Sequence, residues 1–203
     1  MGDECKVFRM VRIILASHSP RRKELLAGLG IPFEVRVIQD IDEHVPADLP
    51  ASEAALYIAK RKAEAYQGQI ADDELIITAD TVVIVGDEIL GKPADEADAL
   101  RMLRMLSGRT HQVTTGVCLM TTKMQRSFDV TTDVTFKSLT DEEIMYYVRR
   151  YKPFDKAGAY GIQEWMGYIG VTGLHGSYYN VMGLPVQRIY TELQAFGLSA
   201  ITD

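Results

Sequence analysis

A loop near the start of the chain, SHSPRR, has residue types that suit anion binding. Ser17 and Ser19 carry hydroxyl groups, and Pro20 is followed directly by Arg21 and Arg22. Ser19 is a favoured helix N-cap and proline is favoured in the first turn, so a helix is predicted to begin here. Arginines repel the positive end of a helix dipole, but they become favourable there when a phosphate binds. The alternative is that both arginines are solvated and Ser19 is only a cap.

Asp80 lies within an otherwise apolar stretch, ITADTVVIV. A carboxylate buried in such a segment is costly unless it is paired or binds a metal. A carboxylate held in this way can orient or deprotonate a water molecule, which is the chemistry of a general base. A strand-end aspartate that only caps a turn is an equally open interpretation of this segment.

Two lysines and an acidic cluster are weaker candidates. Lys92 precedes a proline in a rigid turn, and Lys62 lies in a predicted helix. Most such lysines are simply solvated. Asp40, Asp42 and Glu43 offer the oxygen ligands that Mg²⁺ and Mn²⁺ prefer, although a solvated acidic loop explains them equally well.

The stretch DKAGAYGIQ ends in Gln163, whose amide both donates and accepts hydrogen bonds and so suits reading the edge of a base. Its glycines are expected to let the backbone approach a ligand closely. From this stretch alone, a glycine-rich strand with an exposed glutamine is the better interpretation. The four histidines have no metal-binding spacing, so we expect no zinc site.

The hydrophobic pattern predicts alternating strands and helices that position these residues. Strands are expected at residues 11–16, 33–38, 75–85, 88–90, 111–120 and 128–136. Helices are expected at residues 20–28, 52–66, 95–106, 140–150 and 185–197. The strongest strand pattern, residues 75–85, is expected to be interrupted at TADT, and residues 157–179 are expected to form short strands and loops.

Composition sets outer bounds on function. The chain has 203 residues and a net charge of −6, which argues against a general nucleic-acid binder but allows a local basic pocket for a small anion. No apolar run approaches the roughly 20 residues of a membrane span, and we expect neither a signal peptide nor lipidation. Cys5 and Cys118 are expected to be reduced thiols of a cytosolic protein.

Taken together, these segments resemble one family. ASHSPRRKELL, AKRKA, TADTVV, GKP, RMLRMLSGRTHQVTTGV, DKAGAYGIQ and NVMGLP occur in the order seen in Maf-like proteins, over residues 13–193. GKP alone has little specificity, but SxSPRR followed by ADT and DKAGAYGIQ is highly specific. The resemblance implies an α/β, two-lobed fold with a long mixed β-sheet flanked by helices and a central cleft, similar to the inosine triphosphate pyrophosphatases. It treats residues 1–203 as a single Maf-like domain.

The resemblance also implies an activity. Members are nucleoside triphosphate pyrophosphatases that use a divalent metal and release a monophosphate and pyrophosphate. By position, the proton acceptor is Asp80, and the residues for substrate choice are Arg21, Thr81 and Gln163. The predicted phosphate-binding residues are Ser17, Ser19, Arg22, Lys62 and Lys92. The predicted ligands of Mg²⁺ or Mn²⁺ are Asp80 and Glu43.

The branch of the family is indicated by two motifs. The branch that acts on 7-methyl-GTP resembles SxSx[WY]R at the first motif and lacks AYGIQ, whereas this chain has SxSPRR and an intact AYGIQ. It therefore resembles the dTTP/UTP branch, and a glutamine amide can pair with the O4 and N3–H edge of thymine or uracil. The implied partners are a nucleoside triphosphate substrate and a second copy of the chain, with no nucleic acid and no membrane, in the cytoplasm.

Two other functions stay open at this stage. One is a nucleotide-binding regulator of cell division and septum formation with little catalysis. The other is a phosphatase that removes the γ-phosphate. The combination of Asp80 with Lys62 and Lys92 favours an enzyme over a regulator, because a pure sensor has no need of a positioned base. The γ-phosphatase is separated from the pyrophosphatase only by the identity of the products.

Overall fold

The computed structural model describes residues 11–198, and a seven-stranded mixed sheet forms its centre. The strands are β1 (Arg12–Leu15), β2 (Phe33–Val35), β3 (Glu74–Val85), β4 (Glu88–Leu90), β5 (Thr110–Met120), β6 (Gln125–Phe136) and β7 (Val171–His175). The helices are α1 (Pro20–Ala27), α2 (Ala51–Glu64), α3 (Glu96–Leu106), α4 (Asp141–Tyr151), α5 (Trp165–Gly170), α6 (Tyr178–Met182) and α7 (Val186–Gln194), with a 3₁₀ turn at Ala157–Ala159.

The sheet order is β2-β1-β3-β5-β6-β7, and β4 pairs with β3. Strand β1 runs parallel to β2 and β3, while the other pairs are antiparallel. One edge of β3 pairs with β5 from Ile76 to Ile84. The opposite edge pairs with β1 up to Ile77 and with β4 from Val83 onward. Within the described chain, the segment 78–82 therefore has one edge without a strand partner, and this gap opens into a cleft.

The alternating side chains of β3 are buried against helices on both faces of the sheet. Leu75 and Ile77 pack in the same apolar cluster as Leu26 of α1 and Ile189 of α7. Ile76 faces the other way and packs with Ala63 and Tyr66, at the end of α2. Helices thus cover the first half of β3 from both sides, which explains why its sequence is continuously apolar.

The second half of β3 belongs to a different apolar cluster. Val83 and Val85 pack with Leu103 of α3 and Tyr147 of α4, and Ala159 of the 3₁₀ turn joins them. The two halves of the long strand therefore anchor two separate cores, which form the two lobes. The cleft lies between them, at the gap in the edge of β3.

Most predicted elements are confirmed, and α4 begins with a capping box that Thr140 and Glu143 form. The predicted interruption of β3 at TADT is wrong, because the strand runs unbroken for 12 residues. Asp80 remains in the ladder opposite Gly116, and its carboxylate is paired with Lys62, so the polar side chain costs the strand little. The strand predicted at 33–38 ends at Val35, and α5 and α6 form where short strands and loops were expected.

Cys118 is a buried free thiol, and burial raises its pKa to about 12. Cys5 and the segment considered for a signal peptide and lipidation lie outside the described residues. No helix between residues 11 and 198 has both the length and the apolar character to cross a membrane.

Candidate active site

The cleft at the edge of β3 is a cavity of about 770 Å³. The sequence segments that form its wall are far apart in the chain and meet only in the folded structure. Every residue predicted for the site lines this cavity: Ser17, Ser19, Arg21, Arg22, Glu43, Lys62, Asp80, Thr81, Lys92 and Gln163.

The loop between β1 and α1 has the predicted capping geometry. The backbone N–H of Arg22 donates to Ser19 Oγ at 3.4 Å, and the N–H of Ser19 donates to Ser17 Oγ at 3.2 Å. Ser17 is buried, and Pro20 is the first residue of α1. Because these hydroxyl oxygens accept from the backbone, the hydroxyl hydrogens stay available to an anion in the cavity. The positive end of α1 thus faces the cleft.

Arg22 turns its guanidinium toward the protein interior. Its Nε donates to the carbonyl of Gly183 at 2.8 Å, Nη1 to the carbonyl of Ala79 at 2.9 Å, and Nη2 to Thr81 Oγ1 at 3.1 Å. Burial lowers the pKa of Arg22, and the nearby carboxylate of Asp80 opposes this effect. Nη1 fills the gap in the β3 edge where a neighbouring strand is missing. Arg22 therefore fixes β3 to α1 and to the end of α6, and only its remaining N–H groups are left for phosphate.

Asp80 is held by a lysine from the helix above it. Lys62 Nζ lies 2.8 Å from Asp80 Oδ1, and each of the two side chains is only 15% exposed. The same Nζ lies 3.1 Å from Oε1 of Glu43 in the acidic loop. One ammonium group therefore bridges the two carboxylates that the sequence predicts as metal ligands.

Thr81 faces the opposite side of the sheet from Asp80, because successive side chains of a strand alternate. Its Oγ1 lies 2.9 Å from Thr115 Oγ1 on the paired strand, and Thr115 Oγ1 donates to the carbonyl of Asn180 at 3.2 Å. Together with the Arg22 contact, this arrangement fixes the Thr81 hydroxyl from two directions. Both faces of β3 contribute to the cavity because the strand edge between them is open.

Arg21 points away from Arg22 and is paired. Its Nη1 donates to Asp155 Oδ2 at 2.9 Å, and Asp155 Oδ1 accepts from Lys156 Nζ at 2.7 Å. Burial alone would raise the pKa of Asp155, but the hydrogen bonds from Lys156 and Arg21 outweigh it and hold its pKa at about 2. Lys156 also lies 3.1 Å from Glu164 Oε1. Arg21 thus enters the cavity with its charge already balanced by a carboxylate.

The DKAGAYGIQ stretch bends sharply, with Gly158 and Ala159 both at positive φ. A Cβ at Gly158 would lie 3.0 Å from the side chain of Val83, so this glycine is required by packing against β3. A Cβ at Gly161 would lie 3.2 Å from the amide of Gln163. Packing against β3 therefore explains Gly158, and Gly161 makes room for the predicted specificity residue. The close approach of these glycines to a ligand stays a prediction.

Lys92 differs from Arg21, Lys62 and Lys156, the paired cations of the cavity. It is exposed, and it takes part in no ion pair with any residue in the described part of the chain. Arg21, Lys62 and Lys156 are each paired with at least one carboxylate. Arg22 is also outside the ion pairs of the described chain, but its guanidinium is bonded to two carbonyls and to Thr81, so Lys92 is the exposed cation that an incoming phosphate can reach.

The family model described as Maf-like protein matches residues 12–196, which include every residue that lines the cavity. The chain belongs to the family of Maf-like proteins. The resemblance inferred from the motifs is confirmed.

Two relatives of this Maf-like protein carry the name dTTP/UTP pyrophosphatase. The protein of Phocaeicola vulgatus is 62% identical over 183 residues, which are 90% of this chain and 95% of the relative. The protein of Parabacteroides distasonis is 58% identical over 185 residues, which are 91% of this chain and 96% of the relative. Among solved structures, a HAM1 protein from Coxiella burnetii is 16% identical and covers 92% of this chain and 100% of its own, with a TM-score of 0.48.

The carboxylates of Asp80 and Glu43 are suited to hold a divalent cation that also contacts the substrate. Asp80 and Glu43 converge on one ammonium group, so their oxygens lie near a common point. Mg²⁺ is commonly held by one or two carboxylates together with substrate phosphates and water. Across residues 11–198, no group of three or more His, Cys, Asp or Glu side chains is placed to hold a metal. A cation at Asp80 and Glu43 would therefore take its further ligands from phosphate and water.

Three residues of this Maf-like protein were missed by the sequence analysis. Asp155 and Lys156 begin the DKAGAYGIQ stretch and Glu164 follows it, yet only the glycines and Gln163 were singled out. Asp155 and Lys156 line the cavity, and Glu164 completes their ion pairs. The available signal was the pair of adjacent opposite charges in an otherwise apolar and glycine-rich segment.

Proposed function

We propose that the chain is a nucleoside triphosphate pyrophosphatase that hydrolyses dTTP and UTP to the monophosphate and pyrophosphate. The single observation that carries the proposal is the Lys62–Asp80 pair on an open strand edge, inside a cavity that every predicted site residue lines. The names of relatives that are 62% and 58% identical support the choice of substrates.

Asp80 is the proposed general base. Its carboxylate orients or deprotonates a water molecule that attacks the α-phosphorus, in line with the leaving pyrophosphate. The hydrogen bond from Lys62 to Oδ1 holds the carboxylate group in one orientation, which leaves the second carboxylate oxygen for the water. Holding the base in advance reduces the entropic cost of reaching the transition state.

The triphosphate is proposed to lie against the start of α1. Ser17 and Ser19 supply hydroxyl donors, the helix end supplies partial positive charge, and Lys92 supplies an uncompensated cation. As the bond between the α- and β-phosphates breaks, negative charge builds up on the pyrophosphate, and donors aimed at that charge lower the barrier. The N–H groups of Arg22 that are not bonded to protein contribute to the same task.

A divalent cation, Mg²⁺ or Mn²⁺, is proposed to bind at Asp80 and Glu43 together with the substrate. When bound, it would neutralise phosphate charge and polarise the phosphoryl group. Lys62 lies between the two carboxylates, and its ammonium group is proposed to contact a phosphate oxygen as well as Asp80 when the substrate binds.

Gln163, Thr81 and Arg21 are proposed to select the nucleobase of the substrate. The amide of Gln163 is able to donate to O4 and accept from N3–H of thymine or uracil. A site that offers such a pair rejects bases lacking the matching groups, because its buried polar atoms would then be left unpaired. Thr81 and Arg21 are each anchored by protein contacts, so they present fixed surfaces to the substrate.

We further propose that residues 1–203 act as one Maf-like domain, as a cytoplasmic homodimer. The family resemblance and the composition support this proposal, and the net charge of −6 argues for a small nucleotide in place of a nucleic acid as partner.

The decisive experiment is product analysis with a panel of nucleoside triphosphates in Mg²⁺ or Mn²⁺. Wild type is expected to give monophosphate and pyrophosphate from dTTP and UTP. Asp80→Asn should lower the rate of hydrolysis by about 10²–10⁴-fold while still binding nucleotide. Asp129→Asn is the control, because Asp129 is an exposed aspartate of β6 outside the cavity. Diphosphate and phosphate as products would favour a γ-phosphatase, and binding without any release would favour a nucleotide-sensing regulator.

A further inference from the structure

Lys156 is a buried lysine in the cavity wall. It has no role in the proposed phosphate site and no contact with the proposed general base. Only 8% of the residue is exposed, and its Nζ lies 2.7 Å from Asp155 Oδ1 and 3.1 Å from Glu164 Oε1. Lysines are rarely buried to this degree unless they are paired, and removing one partner of such a pair is costly. Its position is therefore fixed by two carboxylates at once.

Each carboxylate bonded to Lys156 also contacts another part of the site. Asp155 Oδ2 accepts from Nη1 of Arg21 at 2.9 Å, which links Lys156 to α1. Glu164 Oε2 accepts from the hydroxyl of Tyr147, and that hydroxyl accepts from the N–H of Gly161 at 3.0 Å. A continuous series of hydrogen bonds, together with the Lys156–Glu164 ion pair, thus joins Arg21 to the turn that begins at Gly161.

Gln163 lies within that turn and is packed against the same groups. A Cβ at Gly161 would lie 3.2 Å from both terminal atoms of Gln163 and 3.0 Å from the carboxyl carbon of Glu164. The amide of Gln163 and the carboxylate of Glu164 therefore share one small space above Gly161. A shift of Glu164 would alter the room available to the Gln163 amide.

We infer that Lys156 is a positioning residue for base selection, because its ammonium group bridges Asp155 and Glu164 and so holds Arg21 and Gln163 in fixed relative positions. This inference rests on the proposed function, in which these two residues contact the substrate. Lys156 acts through its neighbours and does not take part in the chemistry. Asp155 balances the charge of Arg21, which leaves phosphate binding to Lys62, Lys92 and the start of α1 with Arg22.

The test compares hydrolysis of dTTP and dCTP, because cytosine carries an amino group in place of the O4 carbonyl and lacks N3–H. Lys156→Met removes the charge, Lys156→Arg keeps it, and Lys123→Met is the control at an exposed lysine between β5 and β6. In Lys156→Met, the ratio of kcat/KM for dTTP to that for dCTP is expected to fall about tenfold, chiefly through a higher KM for dTTP. Lys156→Arg should keep most of the preference, and Lys123→Met all of it.

A second variant separates positioning from folding. Lys156→Met combined with Glu164→Gln removes one charge of each sign, so it does not leave the Glu164 carboxylate unpaired, and it should lose the same preference. An unchanged dTTP preference in a folded Lys156→Met or double variant would overturn the inference. So would an equal loss of rate on both nucleotides, because a purely structural role reduces the folded fraction alone.

Binding of an α,β-imido analogue of dTTP, measured by calorimetry against the dCTP analogue, reports the same preference without turnover. A wild type that binds the dTTP analogue but releases no pyrophosphate from dTTP would overturn the proposed function alone. The binding preference of the Lys156 variants would then still decide the inference. A wild type that neither binds nor hydrolyses these nucleotides would overturn both.

Discussion

Asp80 and Gly116 lie directly opposite each other on β3 and β5, and the absence of a side chain at Gly116 leaves room for α2, the helix that carries Lys62. A Cβ at Gly116 would lie 2.4 Å from the backbone carbonyl of Ala55, so α2 rests directly on the sheet at this point. Lys62 follows Ala55 by roughly two helical turns and lies on the same face of α2. Gly116 therefore sets the distance between α2 and the sheet, and this distance determines whether Lys62 reaches the carboxylate of Asp80.

Gly116→Ala should therefore reduce both stability and activity. Overpacking a tight contact typically costs about 1–3 kcal/mol, and a clash with backbone belongs at the upper end of that range or above it. We expect a lower denaturation midpoint and a larger loss of kcat on dTTP than the lost stability explains, because α2 must move away from Asp80. Gly173→Ala is the matched control, since its Cβ would make only an ordinary contact at 3.5 Å with Thr135. Wild-type activity in Gly116→Ala would show that the distance between α2 and the sheet does not determine activity.

Arg22→Met is expected to destabilise the protein. The substitution leaves the carbonyls of Gly183 and Ala79 without the guanidinium donors that they have in the folded protein. Unpaired buried polar groups cost about 1–3 kcal/mol each, so the free energy of unfolding should fall by at least about 2 kcal/mol. Urea denaturation measures this, with Arg149→Met as the control at an exposed surface ion pair, where the change should be within about 0.5 kcal/mol. If Arg22→Met and Arg149→Met changed the free energy of unfolding equally, the guanidinium of Arg22 would not be needed to hold the fold and its N–H groups would be available to phosphate.

Glu43→Gln should weaken the dependence of activity on the divalent cation. Removing one of two proposed carboxylate ligands is expected to raise the Mg²⁺ or Mn²⁺ concentration for half-maximal activity by about 10–100-fold, the range seen when groups around a metal are lost. Titration of activity with each metal measures this shift. Asp42→Asn is the control in the same loop, where the carboxylate accepts from the backbone N–H of His44 at 2.9 Å. A larger shift in Asp42→Asn would move the ligand assignment by one residue.

The lowered pKa of Glu74 predicts that stability depends on pH. Hydrogen bonds from Arg36 outweigh burial and lower the pKa of Glu74 from 4.5 to about 2. A carboxyl group whose pKa is lower in the folded state stabilises the protein above its unfolded pKa, and this stabilisation is lost as the pH falls. The free energy of unfolding should therefore decrease between pH 4.5 and about 2, and Glu74→Gln should flatten that decrease. Urea denaturation over this pH range checks it, with the exposed Glu34→Gln as the control that keeps the wild-type slope.

The residues that line the candidate site could be singled out from sequence because most of them come in short contiguous motifs. The SHSPRR loop follows a strand and caps a helix, and these local preferences fix the positions of Ser17 and Ser19 without reference to the rest of the chain. Asp80 stood out because a charge in an apolar strand needs a partner. In both cases the physical reason is local in sequence. The structure has the predicted helix start after Ser19, and it has a strand at Asp80 without the predicted interruption.

The remaining features depend on contacts between distant segments. The partner of Asp80 is 18 residues away and that of Arg21 is 134 residues away, so neither pair follows from spacing. The contact of Arg22 with phosphate stays a prediction, but its bonds to the carbonyls of Gly183 and Ala79 could not be predicted, because only the folded chain brings these groups together. The continuity of β3 through Asp80 was missed for the same reason, because Gly116 and Lys62 make the polar residue acceptable in the strand.

The most direct test of the account is hydrolysis of dTTP in ¹⁸O-labelled water, with mass analysis of both products. Attack on the α-phosphorus by a water molecule held at Asp80 puts the label into the monophosphate and none into pyrophosphate. We expect this result in wild type and a loss of about 10²–10⁴-fold in the labelling rate in Asp80→Asn. Label in pyrophosphate, or an unchanged rate in Asp80→Asn, would contradict the account.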